Sequence, residues 1–122
     1  MYLLDTNIII YSVLEKFDYL DSFLSHKPKS AVSIITKIEV LGFKGITESD
    51  KNIFEAIFNI LPVIPLTDNI ANVSVKLKQQ RKIKLGDAII AATALTNGLT
   101  LITNNVSDFK NFEGLHIINP IK

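Results

Sequence analysis

Short apolar runs alternate with longer segments of helical periodicity along this chain, and that alternation restricts the fold more than any single residue does. It is the pattern of βα units, whose strands pair in parallel because each is followed by a helix that carries the chain back across the sheet. Residues 2–4 read as a first strand and 7–14 as a helix begun directly at its end. Residues 18–26 continue helically, with Phe17, Leu20, Phe23 and Leu24 at helical spacing, until Pro28 breaks the run. Ala31 and Val32 form a second short strand, and Ser33 is placed to cap a helix over 34–43. At about 100° per residue, Ile35, Ile38 and Gly42 share one face of that helix with Glu39 inside it, while Lys37 points away. Thr47 caps a helix over 48–61 whose core stripe is Ile53, Phe54, Ile57, Phe58 and Leu61, and Pro62 ends it. Val63 and Ile64 suggest a third strand, after which Thr67 starts a helix to about Lys82 with Ile70, Val73 and Leu77 on one side. Residues 87–97 are apolar on almost every side, as a central buried helix requires, with Gly98 at the position that closes it. Residues 99–102 and 116–118 supply a fourth and a fifth strand.

The 122 residues are read as a single domain over 1–122, long enough to bury a real core. With 48% hydrophobic residues and no low-complexity stretch, nothing in it reads as disordered. The absence of cysteine excludes disulfides, thiolate chemistry and zinc sites built on Cys, and suits a reducing cytoplasm. No run approaches the roughly 18 apolar residues of a membrane span, so a soluble, cytoplasmic protein is expected. A net charge of +1 is neutral on nucleic acid. Lys76, Lys78, Arg81, Lys82 and Lys84 do cluster just before Asp87. Such a run is ordinarily a solvated helix end, with phosphate contact as the alternative.

Four carboxylates stand where a soluble domain has little structural use for a charge: Asp5 after the first strand, Glu39 on the apolar side of a helix, Asp87 at the start of the buried helix and Asp108 after the fourth strand. The carboxyl ends of parallel strands and the adjoining helix starts share one crevice, so residues far apart in sequence can converge there. Each acid also has an ordinary reading. Asp5 can be an N-cap, Asp87 a first-turn acid favoured by the helix dipole, and Asp108 part of a polar turn over 104–108. Glu39 resists that treatment, because a carboxylate buried on an apolar face needs a partner or a cation and no Lys or Arg shares its face.

Oxygen ligands alone, with His26 and His116 both far in sequence from the acids, point to a hard ion, Mg²⁺ or Mn²⁺. In a two-metal arrangement, ions about 3.5 to 4 Å apart activate a water and stabilise a leaving oxygen, so phosphodiester chemistry needs no nucleophilic side chain. The chain indeed carries no G-x-S-x-G elbow, no phosphate-binding G-x-x-x-x-G-K loop and no G-x-G-x-x-G fingerprint.

Leu3-Leu4-Asp5-Thr6-Asn7, the segment 33–39 ending in Glu39, the run from Asp87 to Ala94 with 97–103, and Asn105-Val106-Ser107-Asp108-Phe109 resemble the PIN-domain ribonucleases over nearly the whole chain. A single small domain without appendages looks most like the VapC-type toxins of toxin–antitoxin pairs. The resemblance implies a three-layer α/β/α sandwich around a parallel sheet of about five strands. It implies a metal-dependent endoribonuclease acting on RNA, a homodimer, and inhibition by a cognate antitoxin protein whose C-terminal segment reaches the active site. By position, Asp5, Glu39 and Asp87 correspond to the three central metal-binding acids and Asp108 to the fourth. Thr6 and Thr103 match the small hydroxyl residues beside them, expected with Asn105 to orient ligands or waters. Asn104 stands where the family often has a basic residue, so that loop brings no phosphate-anchoring cation of its own.

Two other readings compete. A phospho-accepting receiver domain needs an acceptor Asp after the third strand and a Lys after the fifth, whereas Pro65-Leu66-Thr67 and Asn119-Pro120 stand there. A D-x-D-x-T phosphatase fails because Asn7 is the second residue after Asp5. A catalytically silent module that binds RNA or protein keeps the same fold and is separated only by an assay.

Overall fold

The computed structural model describes residues 1–14 and 29–121, so the helix expected over 18–26, with Phe17, Phe23 and His26, lies outside the described residues. Five parallel strands form one sheet in the order β3-β2-β1-β4-β5. They are β1 (Tyr2–Leu4), β2 (Ser30–Ser33), β3 (Val63–Ile64), β4 (Thr100–Ile102) and β5 (Ile117–Ile118). Around them run α1 (Thr6–Leu14), α2 (Ile34–Leu41), α3 (Glu48–Ile60), α4 (Asp68–Gln80), α5 (Leu85–Asn97) and the short α6 (Val106–Phe109).

Alternation along the strands sorts side chains onto two faces. Leu3 and Leu101 join one buried cluster with Ile70 and Leu77 of α4 and Ala88 to Ala92 of α5. Their neighbours Leu4 and Ile102 join the other, with Ile8 and Ile9 of α1, Val40 of α2 and Phe54, Ile57 and Phe58 of α3. The result is the expected three-layer sandwich. Strands this short survive because both faces are covered, as a parallel sheet requires.

Local chemistry sets most helix ends. The Ser33 hydroxyl accepts from the Ile35 N–H at 3.1 Å, the Thr47 hydroxyl from Asp50 at 3.1 Å and the Thr67 hydroxyl from Ile70 at 3.2 Å. At the far end of α5, Gly98 takes the left-handed conformation, φ 63°, and its N–H returns to the carbonyls of Ala94 and Leu95. Every residue from Ala88 to Ala94 is buried, in keeping with a helix apolar on all sides.

Two helix faces differ from the sequence expectation. On α2 the buried positions are Thr36 and Val40, while Ile38 is 60% exposed and Glu39 is exposed as well. With only eight residues, α2 inserts one narrow i, i+4 edge into the core, and the wide apolar stripe drawn through Ile38 has nothing to face among the described residues. On α3, Ile53 is 45% exposed, so the stripe narrows to Phe54, Ile57 and Phe58, with Leu61 just beyond the helix.

Chain direction produces the crevice. From β1 the chain steps outward through β2 to β3, then crosses back so that β4 lies against the other side of β1. The strand order reverses between β1 and β4, which is where open α/β sheets hold ligands. Asp5 and Thr103 are the residues immediately after those two strands.

Candidate functional site

Asp5 is both the last link of the sheet and the start of α1. Its N–H donates to the Ile102 carbonyl at 3.0 Å, and its own carbonyl accepts from Ile8 at 3.1 Å and Ile9 at 3.4 Å. The N-cap reading therefore holds for the backbone. The side chain is occupied otherwise: Oδ1 accepts from the Thr6 N–H at 2.8 Å and Oδ2 from the Thr103 hydroxyl at 2.7 Å. Only 3% of the residue is exposed. Burial pushes its carboxyl above the usual range, the bonds from Thr103 and Thr6 pull it back, and repulsion from Glu39 and Asp108 adds to the rise.

Thr6 joins two of the acids. Besides its N–H to Asp5, its hydroxyl donates to Glu39 Oε1 at 2.8 Å, and its oxygen lies 3.1 Å from the Thr36 hydroxyl. Since the Thr6 proton is engaged by Glu39, Thr36 is the donor in that second contact. Glu39 is thus held at the mouth of the crevice by a hydroxyl. The reasoning from a buried charge on an apolar face does not apply to it, because it is exposed.

Asp87 comes from the first turn of α5 and accepts no hydrogen bond from the described residues. Burial and the charges of Asp5, Asp108 and Glu39 push its carboxyl up to about 6, and Lys84 offsets part of that rise. The first turn of α5 packs tightly against α2: a Cβ on Gly86 would lie 2.9 Å from Glu39 Oε2. Glycine before Asp87 lets these two acid-bearing helices approach.

Asp108 lies on α6, where a polar turn was expected. The Asn105 amide donates to its Oδ2 at 2.6 Å, and the Asn105 N–H in turn donates to the Thr103 hydroxyl oxygen at 2.9 Å. Thr103 and Asn105 therefore couple Asp108 to Asp5 through a chain of hydrogen bonds. The main chain of α6 is held from outside by Arg81, whose guanidinium donates to the carbonyls of Asp108 at 2.5 Å and Lys110 at 2.7 Å and stacks 3.8 Å above the Phe112 ring.

The structure brings all four acids into one electrostatic neighbourhood, each of Asp5, Glu39 and Asp108 raising Asp87. Thr6, Thr103 and Asn105 hold three of them, Asp5, Glu39 and Asp108, by hydrogen bonds. Sequence reasoning missed Thr36, Gly86 and the clamp made by Arg81. A glycine directly before an acid at a helix start was a readable signal for Gly86, and nothing local marks the other two. His116 is exposed and no partner of the acids, and the Asn104 amide oxygen is buried without a hydrogen-bond partner among the described residues.

A model of the PIN domain family matches residues 2–115. This chain belongs to the PIN domain family. Among PIN relatives, ribonuclease VapC1 of Rickettsia felis is 34% identical, the alignment covering 95% of this chain and 93% of the relative. Ribonuclease VapC2 of Haemophilus influenzae is 30% identical over 97% of this chain and 96% of its own length. Among solved structures, a toxin–antitoxin complex from Klebsiella pneumoniae superposes with a TM-score of 0.80 at 34% identity, covering 100% of this chain and 99% of that one. The five-stranded parallel sheet of this PIN domain is thus shared with a toxin–antitoxin protein over its whole extent.

Proposed function

We propose that this PIN domain is a metal-dependent endoribonuclease that serves as the toxin of a toxin–antitoxin pair, uses Mg²⁺ or Mn²⁺, and is restrained by a cognate antitoxin. The relatives named ribonuclease VapC support the activity and the toxin–antitoxin complex of like fold supports the partner. The single observation that carries the reading is the repulsion of Asp5 and Asp87 by each other or by Glu39 and Asp108 in one crevice, with no Lys or Arg among the described residues paired to these acids. Among the described residues, the one ion pair is Lys51 with Glu55, on the surface of α3. Acids crowded in this way stabilise a cation instead of the fold.

The donor set fits a hard ion. Among the described residues no group of three or more His, Cys, Asp or Glu side chains is arranged to hold an ion as it stands. Mg²⁺ takes one or two protein carboxylates and fills its shell with waters and substrate phosphate, so it does not need a closed cage of side chains. Asp5, Glu39, Asp87 and Asp108 are the residues that would hold it. A bound ion there would lower the pKa of a water and neutralise charge developing on the phosphate.

The chain's own groups hold the acids ready. Thr6 and Thr103 fix Asp5, Thr6 alone fixes Glu39 and Asn105 fixes Asp108, so three of the four need little reorganisation on binding. Asp87, which accepts no hydrogen bond from the described residues, is the one with most room to adjust. No helix among the described residues is long and apolar enough to cross a membrane. A homodimer accords with exposed apolar side chains such as Leu66, Val75 and Leu85.

Two experiments test the reading. Purified protein should cleave cellular RNA with Mg²⁺ or Mn²⁺ and stop in excess EDTA. Expression alone should arrest growth, and co-expression of the antitoxin or the Asp87→Asn substitution should relieve the arrest. Arrest by folded, equally abundant Asp87→Asn protein as strong as wild type would leave a silent binding module as the better account.

A further inference from the structure

The five cations before Asp87 are not equivalent. Lys78 donates its ammonium to the Ile83 carbonyl at 2.7 Å, which ties the end of α4 to the segment that follows. Arg81 spends its guanidinium on the carbonyls of Asp108 and Lys110 and on the Phe112 ring. Lys76 projects from the exposed side of α4. Lys82 and Lys84 remain, both exposed and, among the described residues, neither bonded to a carbonyl nor paired in a salt bridge. They line a cleft of about 360 Å³ together with Asp87, Ser107 and Asp108.

A phosphodiester approaching four carboxylates is repelled by them, and a metal ion offsets this only at the phosphate it touches. The neighbouring phosphates of a polynucleotide need cations of their own. Asn104 provides none in the loop after β4. The segment between α4 and α5 provides two, on a wall held still by the Lys78 and Arg81 bonds, and Lys84 is near enough to lower the Asp87 carboxyl.

We infer that Lys82 and Lys84 form a phosphate-binding subsite for the backbone of single-stranded RNA, adjacent to the acids and separate from the metal. This rests on the nuclease reading above and adds to it the place where the strand is held. Contacts to phosphate carry no base information, so the subsite should serve RNA of any sequence. It should act on binding and leave the chemical step alone.

The test measures binding of fluorescein-labelled oligouridine by anisotropy across a salt series, in an Asp87→Asn background that prevents cleavage. Replacing both lysines by alanine should weaken binding about tenfold at moderate salt. It should also flatten the slope of log affinity against log salt by about 1.4, since each phosphate contact on a single strand contributes about 0.7. Replacement of both by arginine should restore affinity and slope. In the catalytically competent chain the alanine pair should raise KM and keep kcat, at an unchanged melting temperature. A salt slope equal to that of the parent overturns the inference, as does a loss confined to kcat. Wild type that cleaves RNA while the alanine pair binds and cleaves identically overturns the subsite alone. Protein that neither binds oligouridine nor cleaves cellular RNA with Mn²⁺ overturns the nuclease reading with it.

Discussion

Replacing Asp87 by asparagine should make the metal-free protein more stable at neutral pH, although it removes a charged residue from the favourable end of a helix. The Asp87 carboxyl is raised from 3.8 to about 6 by burial and by three neighbouring acids. A raised acid favours the folded state while protonated, so its contribution is fully present below pH 3.8 and lost as pH climbs through about 6. About two pKa units correspond to about 3 kcal/mol. Solvent screening at this half-buried side chain brings that to about 1–2 kcal/mol. The opposing gain from the α5 N-terminus is roughly 0.3 to 1 kcal/mol, which is smaller. Asparagine keeps the shape and never ionises, so at about pH 7.5 in EDTA the variant should gain about 1 kcal/mol, or about 3 to 6 °C in Tm for a domain of this size. The advantage should shrink as pH falls below about 6 and vanish by about pH 3, where the wild-type carboxyl is protonated in both states. Thermal unfolding followed by circular dichroism across that pH range measures both limits. Mn²⁺ should then raise the wild-type Tm more than that of the variant, because binding to the native state stabilises by mass action. A variant less stable than wild type in EDTA at neutral pH, or a difference that does not change with pH, would refute the reasoning and make Asp87 a helix-dipole residue.

Three further outcomes separate the supports of the site. Glu39→Gln keeps an acceptor for the Thr6 hydroxyl, so its Tm should stay within about 1 °C of wild type or rise. Its cleavage rate should fall more than about 100-fold, beyond what loss of a group that merely supports a metal ligand costs. Thr103→Val strands a buried carboxylate oxygen of Asp5 and the Asn105 N–H together, and should cost about 1–3 kcal/mol in urea unfolding at neutral pH. That cost should be smaller in acid, where Asp5 is neutral. Arg81→Leu should speed amide hydrogen exchange in α6 and at Lys110 while leaving the amides of β1 protected, since the broken bonds reach only the main chain that carries Asp108.

What could be read from the sequence was local. The caps at Ser33, Thr47 and Thr67 and the glycine closing α5 are decided within four residues, and those boundaries fell within two residues of expectation. The strands were legible because each is a short apolar run between breakers, and the acids because three of them follow a strand or open a helix. Illegible features depend on what lies across the fold. The face of α2 was misjudged because eight residues cannot distinguish an edge built on Thr36 and Val40 from one built on Ile35 and Ile38. Helix α6 looked like a turn because its four residues have little helical preference of their own, and its carbonyls are held by an arginine 27 and 29 residues away in sequence. Glu39 was singled out on the wrong ground: it is an exposed acid held by a hydroxyl from α1, a contact spanning 33 positions.

The bond from Thr103 to Asp5 joins residues 98 positions apart, the second immediately following the central strand of the sheet. Synthesis delivers Asp5 early, and Thr6 can hold one of its oxygens at once, yet the Thr103 hydroxyl cannot seat the other until β4 has left the ribosome and inserted beside β1. An elongating chain therefore passes through most of its length with the acids dispersed, and a fragment that stops before residue 100 carries three of them without the wall that assembles them. Such long-range closure slows folding, because the entropy of bringing distant segments together is spent before their contacts form. For a protein that would attack the cell's RNA, the same delay acts as a timer: the site closes only after Thr103 has been made, and the interval before it is time in which an inhibitor can already be waiting.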